Sequence, residues 1–274
     1  MKKLLFITTM VMLLASCKTI SMNIAVPDRF AANATQMKVS GLNGWPKPKL
    51  TFGNYHTSKV KTGWVASSKN YEPKFGITTA ERMLKAYNIG RDNTTQHTRN
   101  KYHYTIQDGD LVAEVYCIEK TVKEEITTTT PLGQVGDTKN YQYSFSAVIV
   151  PQTVKDEPWQ LVFYNSYDSR KDTVRKLWER PYVEHEGYVT NGKIRIDIRP
   201  IITDKVVGQD GAAIKMFTKL VMAYELKIDD GVIGVIDVFK NNVWIYNDLD
   251  KDMKLIIASV SSAILMRKLD ESKA

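Results

Sequence analysis

Apolar and polar residues alternate along most of this chain, and Asn-Gly or Asp-Gly pairs separate the alternating runs. A period of two marks half-buried strands, and those dipeptides are strong hairpin signals. With Asp108-Gly109 as a two-residue turn, Ile106 faces Leu111, Tyr104 faces Ala113 and Tyr102 faces Val115. Cys117 shares that apolar face, while His103 and Glu114 lie on the other. With Asn191-Gly192 as the turn, Val189 pairs with Ile194, Gly187 with Ile196 and His185 with Ile198 on a core face. Thr190/Lys193, Tyr188/Arg195, Glu186/Asp197 and Glu184/Arg199 make the charged face. Met222–Ile228, Val232–Phe239 and Val243–Asn247 read as a meander turning at Asp230-Gly231 and Asn241-Asn242. Residues 121–140, with Thr127 to Thr130, Pro131, Gly133 and Gly136, read as a strand end followed by an exposed loop. Thr78–Tyr87 and Asp168–Arg180 read as helices.

The pattern changes at the C-terminus. Asp248 or Asp250 can cap a helix there. The run from Leu255 to Met266 holds no charged residue, and Ser259, Ser261 and Ser262 are its only polar side chains. A surface helix shows a polar face and this one has none. Serines in such a helix can bond back to their own carbonyls. Twelve residues span roughly 18 Å, short of a bilayer core. Protein must therefore bury the helix on nearly all sides. The expected fold is α+β and mostly antiparallel: a curled sheet or barrel packed around a buried C-terminal helix over about 249–268.

Residues 192–268 run as charged hairpin, Tyr-Glu-Leu strand, Asp-Gly turn, short strands and apolar terminal helix. This order resembles the end of the tubby-like barrels, the group that includes LURP-one-related and scramblase-like proteins. The resemblance implies a twelve-stranded barrel enclosing the helix. It rests on pattern, and no lipid-headgroup motif carries over. An open sheet holding the helix in a cleft shares most of the same pattern.

The first residues carry a different message. Lys2 and Lys3 precede an uncharged, largely apolar stretch from Leu4 to Leu14, which suits the h-region of a signal peptide. Leu14-Ala15-Ser16-Cys17 resembles the lipobox of bacterial lipoproteins. That resemblance implies cleavage before Cys17, lipid on its thiol, and an anchor in the envelope. Lys18 in place of Asp favours the outer membrane. The expected organisation is signal peptide 1–16, lipidated tether 17–35 and one globular domain 36–274. The chain has 38 Lys and Arg against 30 Asp and Glu; cleavage removes two lysines and no acid, so the mature charge is 36 minus 30, or +6. Cys117 is then the one remaining thiol, which excludes an intramolecular disulfide and a cysteine-rich metal site.

Catalytic spacing is lacking. The histidines at 56, 97, 103 and 185 form no metal or zincin pattern, and no Walker, nucleophile-elbow or dinucleotide motif occurs. No catalytic residue, metal ligand or cofactor is assigned. His185 is expected inward as a core histidine, and Cys117 as a structural thiol. Glu186 opposite Asp197 is a like-charge pair that Arg195 and Arg199 can neutralise.

One stretch stands out. From Arg29 to Tyr71 there are seven bases and no acid, interleaved with Phe30, Trp45, Phe52, Tyr55, Trp64 and Tyr71. Lys47, Lys49, Lys59, Lys61, Trp45 and Trp64 are the candidate ligand-binding residues, for an anionic lipid or glycan close to the anchor. Lysines outward and aromatics inward on edge hairpins would give the same sequence. Nucleic acid is not expected as a partner outside the cytoplasm. The resulting expectation is a membrane-anchored envelope lipoprotein with a non-enzymatic binding domain. A hydrolase-like enzyme with an unrecognised site, or a scaffold of an envelope complex, are the alternatives.

Overall fold

The structure, a computed structural model, describes residues 24, 26–42, 49–63, 66–73, 90–130, 133–152, 157–170, 184–207 and 213–267. The candidate helix Thr78–Tyr87, most of Asp168–Arg180, and Cys17, Trp45, Lys47 and Trp64 lie outside the described residues.

The described chain is mostly antiparallel β. Its strands are β1 (Ala34–Lys38), β2 (Thr51–Phe52), β3 (Tyr55–Thr57), β4 (Lys61–Thr62), β5 (Ala66–Pro73), β6 (Gly90–Asp108), β7 (Leu111–Thr130), β8 (Gly133–Pro151), β9 (Trp159–Asp168), β10 (Glu184–Thr190), β11 (Arg195–Val207), β12 (Ala213–Ile228), β13 (Gly231–Asp237) and β14 (Asn242–Tyr246). Two helices accompany them, α1 (Asp28–Ala31) and α2 (Lys251–Met266). All fourteen strands join one sheet. Twelve follow a single path, β1-β14-β13-β12-β11-β10-β9-β8-β7-β6-β3-β2, with β4 and β5 paired to β6. The two ends of the path meet where Ser40 N donates to Thr51 O at 3.0 Å and Thr51 N donates to Ser40 O at 3.2 Å. The sheet is thus a nearly closed barrel, and α2 packs against its inner face.

That helix is buried as its sequence demands. Every residue from Leu255 to Ile264 is buried. Asp250 is the cap, accepting from Met253 N at 2.7 Å. The serines satisfy themselves: Ser259 Oγ donates to Leu255 O and Ser261 Oγ to Ile257 O, both at 2.7 Å, and Ser262 Oγ to Ser259 O at 2.9 Å. Ser262 Oγ also lies 2.8 Å from Tyr104 OH on β6, which ties helix to sheet. At Gly234 the sheet comes so close that an added Cβ would sit 3.0 Å from Ile257 Cγ2.

The hairpins keep their expected faces but not their registers. Across β6 and β7, Asp108 pairs with Leu111, Ile106 with Ala113, Tyr104 with Val115 and Tyr102 with Cys117. The turn residues are therefore Gly109-Asp110, and Gly109 takes a φ of +58°. Across β10 and β11, Gly187 pairs with Ile198, Tyr188 with Asp197, Val189 with Ile196 and Thr190 with Arg195. Here the loop is Asn191 to Ile194, because Asn191 Oδ1 accepts from Lys193 N and Ile194 N at 3.1 and 2.9 Å. Each slip is by two residues, so the residues that stay in the strands keep their original faces. The second slip does remove Ile194 from the core face, where it is 38% exposed, and it replaces Glu186 by Tyr188 opposite Asp197.

Two expectations of irregular chain are corrected. Residues 121–140 are not a strand end and loop: β7 pairs with β8 as far as Thr130 and Gly133. Among the described residues β9 pairs with β8 between Asn140 and Ile149, and β5 and β6 extend along the β7 side of the same hairpin. The fold also begins before residue 36. Phe30 of α1 is buried against Trp244, Val235 and Ala223, on the outer side of β12–β14. Asn33 O accepts from Asn247 N, and β1 pairs with β14 from Ala34.

Candidate functional site

The basic, aromatic stretch separates into two populations. Phe30, Phe52 and Tyr55 are buried, and Val39, Leu50 and Val60 are core with them. Lys49, Lys59 and Lys61 are exposed. Alternation explains this, since the apolar partner of each lysine points into the sheet interior. Phe30, Phe52 and Tyr55 are therefore not aromatics that a ligand could reach beside these lysines.

Lys61 nevertheless stands at the end of an exposed aromatic surface, which comes from other strands. On the outer face of the sheet, Lys61 pairs with His103, His103 with Tyr116, and Tyr116 with Val148. The next outward row is Lys101, Ile118, Ser146 and Val162, and the one after it Arg99, Lys120, Ser144 and Tyr164. Tyr116, Ile118, Val148 and Tyr164 are 47, 36, 42 and 38% exposed. Exposed apolar side chains are ordinary when scattered, but neighbouring ones mark contact surfaces. The His103 ring stacks on Tyr116 with centroids 5.6 Å apart, and Tyr116 OH donates to Glu114. Lys61, Lys101, Arg99 and Lys120 are exposed along the β4, β6 and β7 side of the patch. On the β9 side it runs into a groove of about 390 Å³ lined by Tyr164, Glu186, Tyr188, Arg195 and Arg199. There the Arg195 guanidinium lies 4.4 Å above the Tyr188 ring while its Nε reaches Asp197 Oδ1 at 2.8 Å. Sequence reading missed this surface because its members lie far apart along the chain. The one signal was the outward parity of Tyr116, Ile118 and Lys120 around Cys117.

A second polar group lies inside the barrel, near the end of α2. Tyr143 pairs with Asn165 across β8 and β9, and Asn165 with His185 across β9 and β10. Arg267, just after α2, reaches this row. Its guanidinium stacks 3.9 Å from the Phe163 ring and 4.9 Å from the Tyr224 ring, and Nη2 donates to Tyr224 OH. Gly187 makes room for this arrangement: an added Cβ would lie 2.7 Å from Phe163 Cδ2.

His185 lies inward as its parity requires. Burial, and then the Arg267 charge, lower its pKa from 6.5 to about 4. Between those values the unfolded histidine binds a proton that the folded one refuses. Stability is therefore full above pH 6.5 and falls as pH drops toward 4, by up to about 3 kcal/mol at 1.36 kcal/mol per unit. His185→Gln should flatten that part of the stability–pH curve. An unchanged slope, measured by urea denaturation between pH 4 and 7, would refute the assignment.

Cys117 is 2% exposed, and burial drives its thiol pKa far up, the opposite of an activated nucleophile. Among the described residues no group of three His, Cys, Asp or Glu could hold a metal ion, and no helix is long and apolar enough to cross a membrane. Comparison of the chain with protein-family models, with curated proteins and with solved structures finds no match.

Proposed function

We propose that the protein is a lipid-anchored envelope protein whose barrel binds anionic lipid through the outer face of β4 and β6–β9. The observation that carries this reading is the run of exposed Tyr116, Ile118, Val148 and Tyr164 beside Lys61, Arg99, Lys101 and Lys120. Apolar and aromatic side chains can enter the headgroup region while the bases meet its charge, each worth about 1 kcal/mol near an anionic surface. Lys49 and Lys59 extend the same charge. The anchor reading rests on Lys2-Lys3, the apolar stretch and Leu14-Ala15-Ser16-Cys17. The tubby-like reading is supported by the path of twelve strands and the terminal helix against their inner face. The outer side of β12–β14 is covered by the chain's own residues around Phe30. The outer face of β4 and β6–β9, by contrast, leaves Tyr116, Ile118, Val148 and Tyr164 exposed.

Labelling with palmitate should be lost in Cys17→Ala. The chain from residue 18 onward holds every described element and should co-sediment with phosphatidylglycerol vesicles but not with phosphatidylcholine ones. A Lys61→Glu, Lys101→Glu, Lys120→Glu variant should bind them at least about tenfold more weakly, and Tyr116→Ala also more weakly. Equal binding by the triple variant would refute the outer-face reading, while palmitate labelling tests the anchor separately.

A further inference from the structure

Arg267 has no ion pair among the described residues; the buried Glu119 carboxylate, which acts on the same Tyr143 as Arg267 does, accepts from Asn100 Nδ2 at 3.2 Å. A guanidinium stays protonated at all accessible pH. This one is 5% exposed, and its Nε and Nη1 have no hydrogen-bond partner. No described carboxylate pairs with it. Its flat faces are taken by Phe163 and Tyr224, and one corner by the Tyr224 hydroxyl, so its open edge is polar N–H alone. The α2 C-terminus beside it offers a partial negative charge, which offsets part of the cost but satisfies neither donor. Both amide atoms of Asn165, which is 0% exposed, also lack partners, and so does Tyr143 OH. Buried groups of this kind are rare singly, since each costs free energy, and an uncompensated buried charge costs most. Here three residues with unmet donors share one patch of the inner face, with Asn165 seated between Tyr143 and His185. Their unpaired positions are donors at Arg267 Nε and Nη1 and Asn165 Nδ2, a hydroxyl that can donate at Tyr143, and one acceptor, Asn165 Oδ1. His185 stays neutral in this setting, so it can donate without adding charge.

We propose that the barrel binds a small oxyanion, a carboxylate or phosphate group, on the open edge of Arg267, with the Asn165 amide and the Tyr143 hydroxyl as further donors. The site is inside the barrel and independent of the outer face, so either can fail alone. An oxyanion matches the planar fork of donors that arginine presents, and charge-assisted bonds of this type are short and strong. Water could satisfy the donors but would give the guanidinium no ion pair.

The test uses the full chain in non-ionic detergent, titrated calorimetrically with sodium acetate and with inorganic phosphate against sodium chloride at matched ionic strength. Saturable binding of acetate or phosphate at one site per chain is expected, and the stronger of the two names the headgroup. Arg267→Met should weaken that binding by at least about tenfold, the loss of a hydrogen bond to a charged group. Should that variant not fold, Asn165→Asp supplies the second arm: an internal carboxylate beside the guanidinium should abolish binding of the added anion and raise the melting temperature. The proposal is overturned if neither anion binds the wild-type chain beyond chloride, or if a folded Arg267→Met or Asn165→Asp chain binds as well as wild type.

Discussion

Ile257→Ala is expected to cost about 2–5 kcal/mol of stability, while Lys251→Ala in the exposed first turn of the same helix should cost almost nothing. Ile257 is 0% exposed and stands over Gly234, where the sheet approaches α2 most closely. Deleting three carbons there removes their transfer free energy and leaves a void. The surroundings can collapse into it only slightly, since Leu226 and Trp244 O already hold the other sides of Gly234. A domain of this kind has roughly 5–15 kcal/mol in total. The change should therefore lower the urea midpoint steeply, and the m-value should stay constant if folding is two-state. A loss below about 1 kcal/mol would mean that the helix is not held inside the sheet.

The size of that effect follows from the feature that was most legible in the sequence. A twelve-residue apolar run with three serines cannot be a surface helix, and its burial on every side required a curved sheet around it. Hairpin parity was legible for the same reason: Tyr102, Tyr104, Cys117, Val189 and Ile198 face inward as alternation requires. Registers were not legible. A turn of Asn191 to Ile194 and one of Asn191-Gly192 alone bury the same residues apart from Ile194, and the side-chain bonds of Asn191 decide between them. The length of β7 and β8 was hidden too, because threonines and glycines that read as loop also fit a ladder whose partner is in register.

The two candidate sites were legible to different degrees. The basic stretch from Arg29 to Tyr71 pointed to charge at the surface, and Lys49, Lys59 and Lys61 are exposed. Of its aromatics, Phe30, Phe52 and Tyr55 turned inward, and the outer aromatics beside Lys61 belong to β7 and β9. Only pairing across β4, β6, β7, β8 and β9 brings them together, and pairing is a property of registers. Arg267 gave no signal at all, since an arginine after a helix is an ordinary partner for its dipole. Its isolation depends on Phe163, Tyr224 and Gly187, which lie on three other strands.

Gly41→Ala tests how the barrel closes, and it should cost more than about 2 kcal/mol, with local opening at the seam. Gly41 follows Ser40, one of the two residues that join the ends of the strand path, and has a φ of +87°. An added Cβ would lie 1.9 Å from Lys49 O and 2.9 Å from Lys49 C. Those are backbone atoms, so no rotamer change relieves the clash. Either Gly41 leaves its conformation or the 49–50 segment retreats. Retreat would pull on Leu50, which is 0% exposed and whose amide donates to Thr57 Oγ1 at 2.8 Å. It would also part the paired amides of Ser40 and Thr51. Gly109→Ala is the matched control. Its φ is +58°, but its Cβ would meet nothing within 4 Å. It should lose only the left-handed backbone preference, about 1–2 kcal/mol. Denaturation midpoints separate the two costs, and amide exchange at Ser40 and Thr51 should quicken in Gly41→Ala alone. Equal losses in the two variants, with exchange at the seam unchanged, would mean that the sheet edges are not locked together at Ser40 and Thr51.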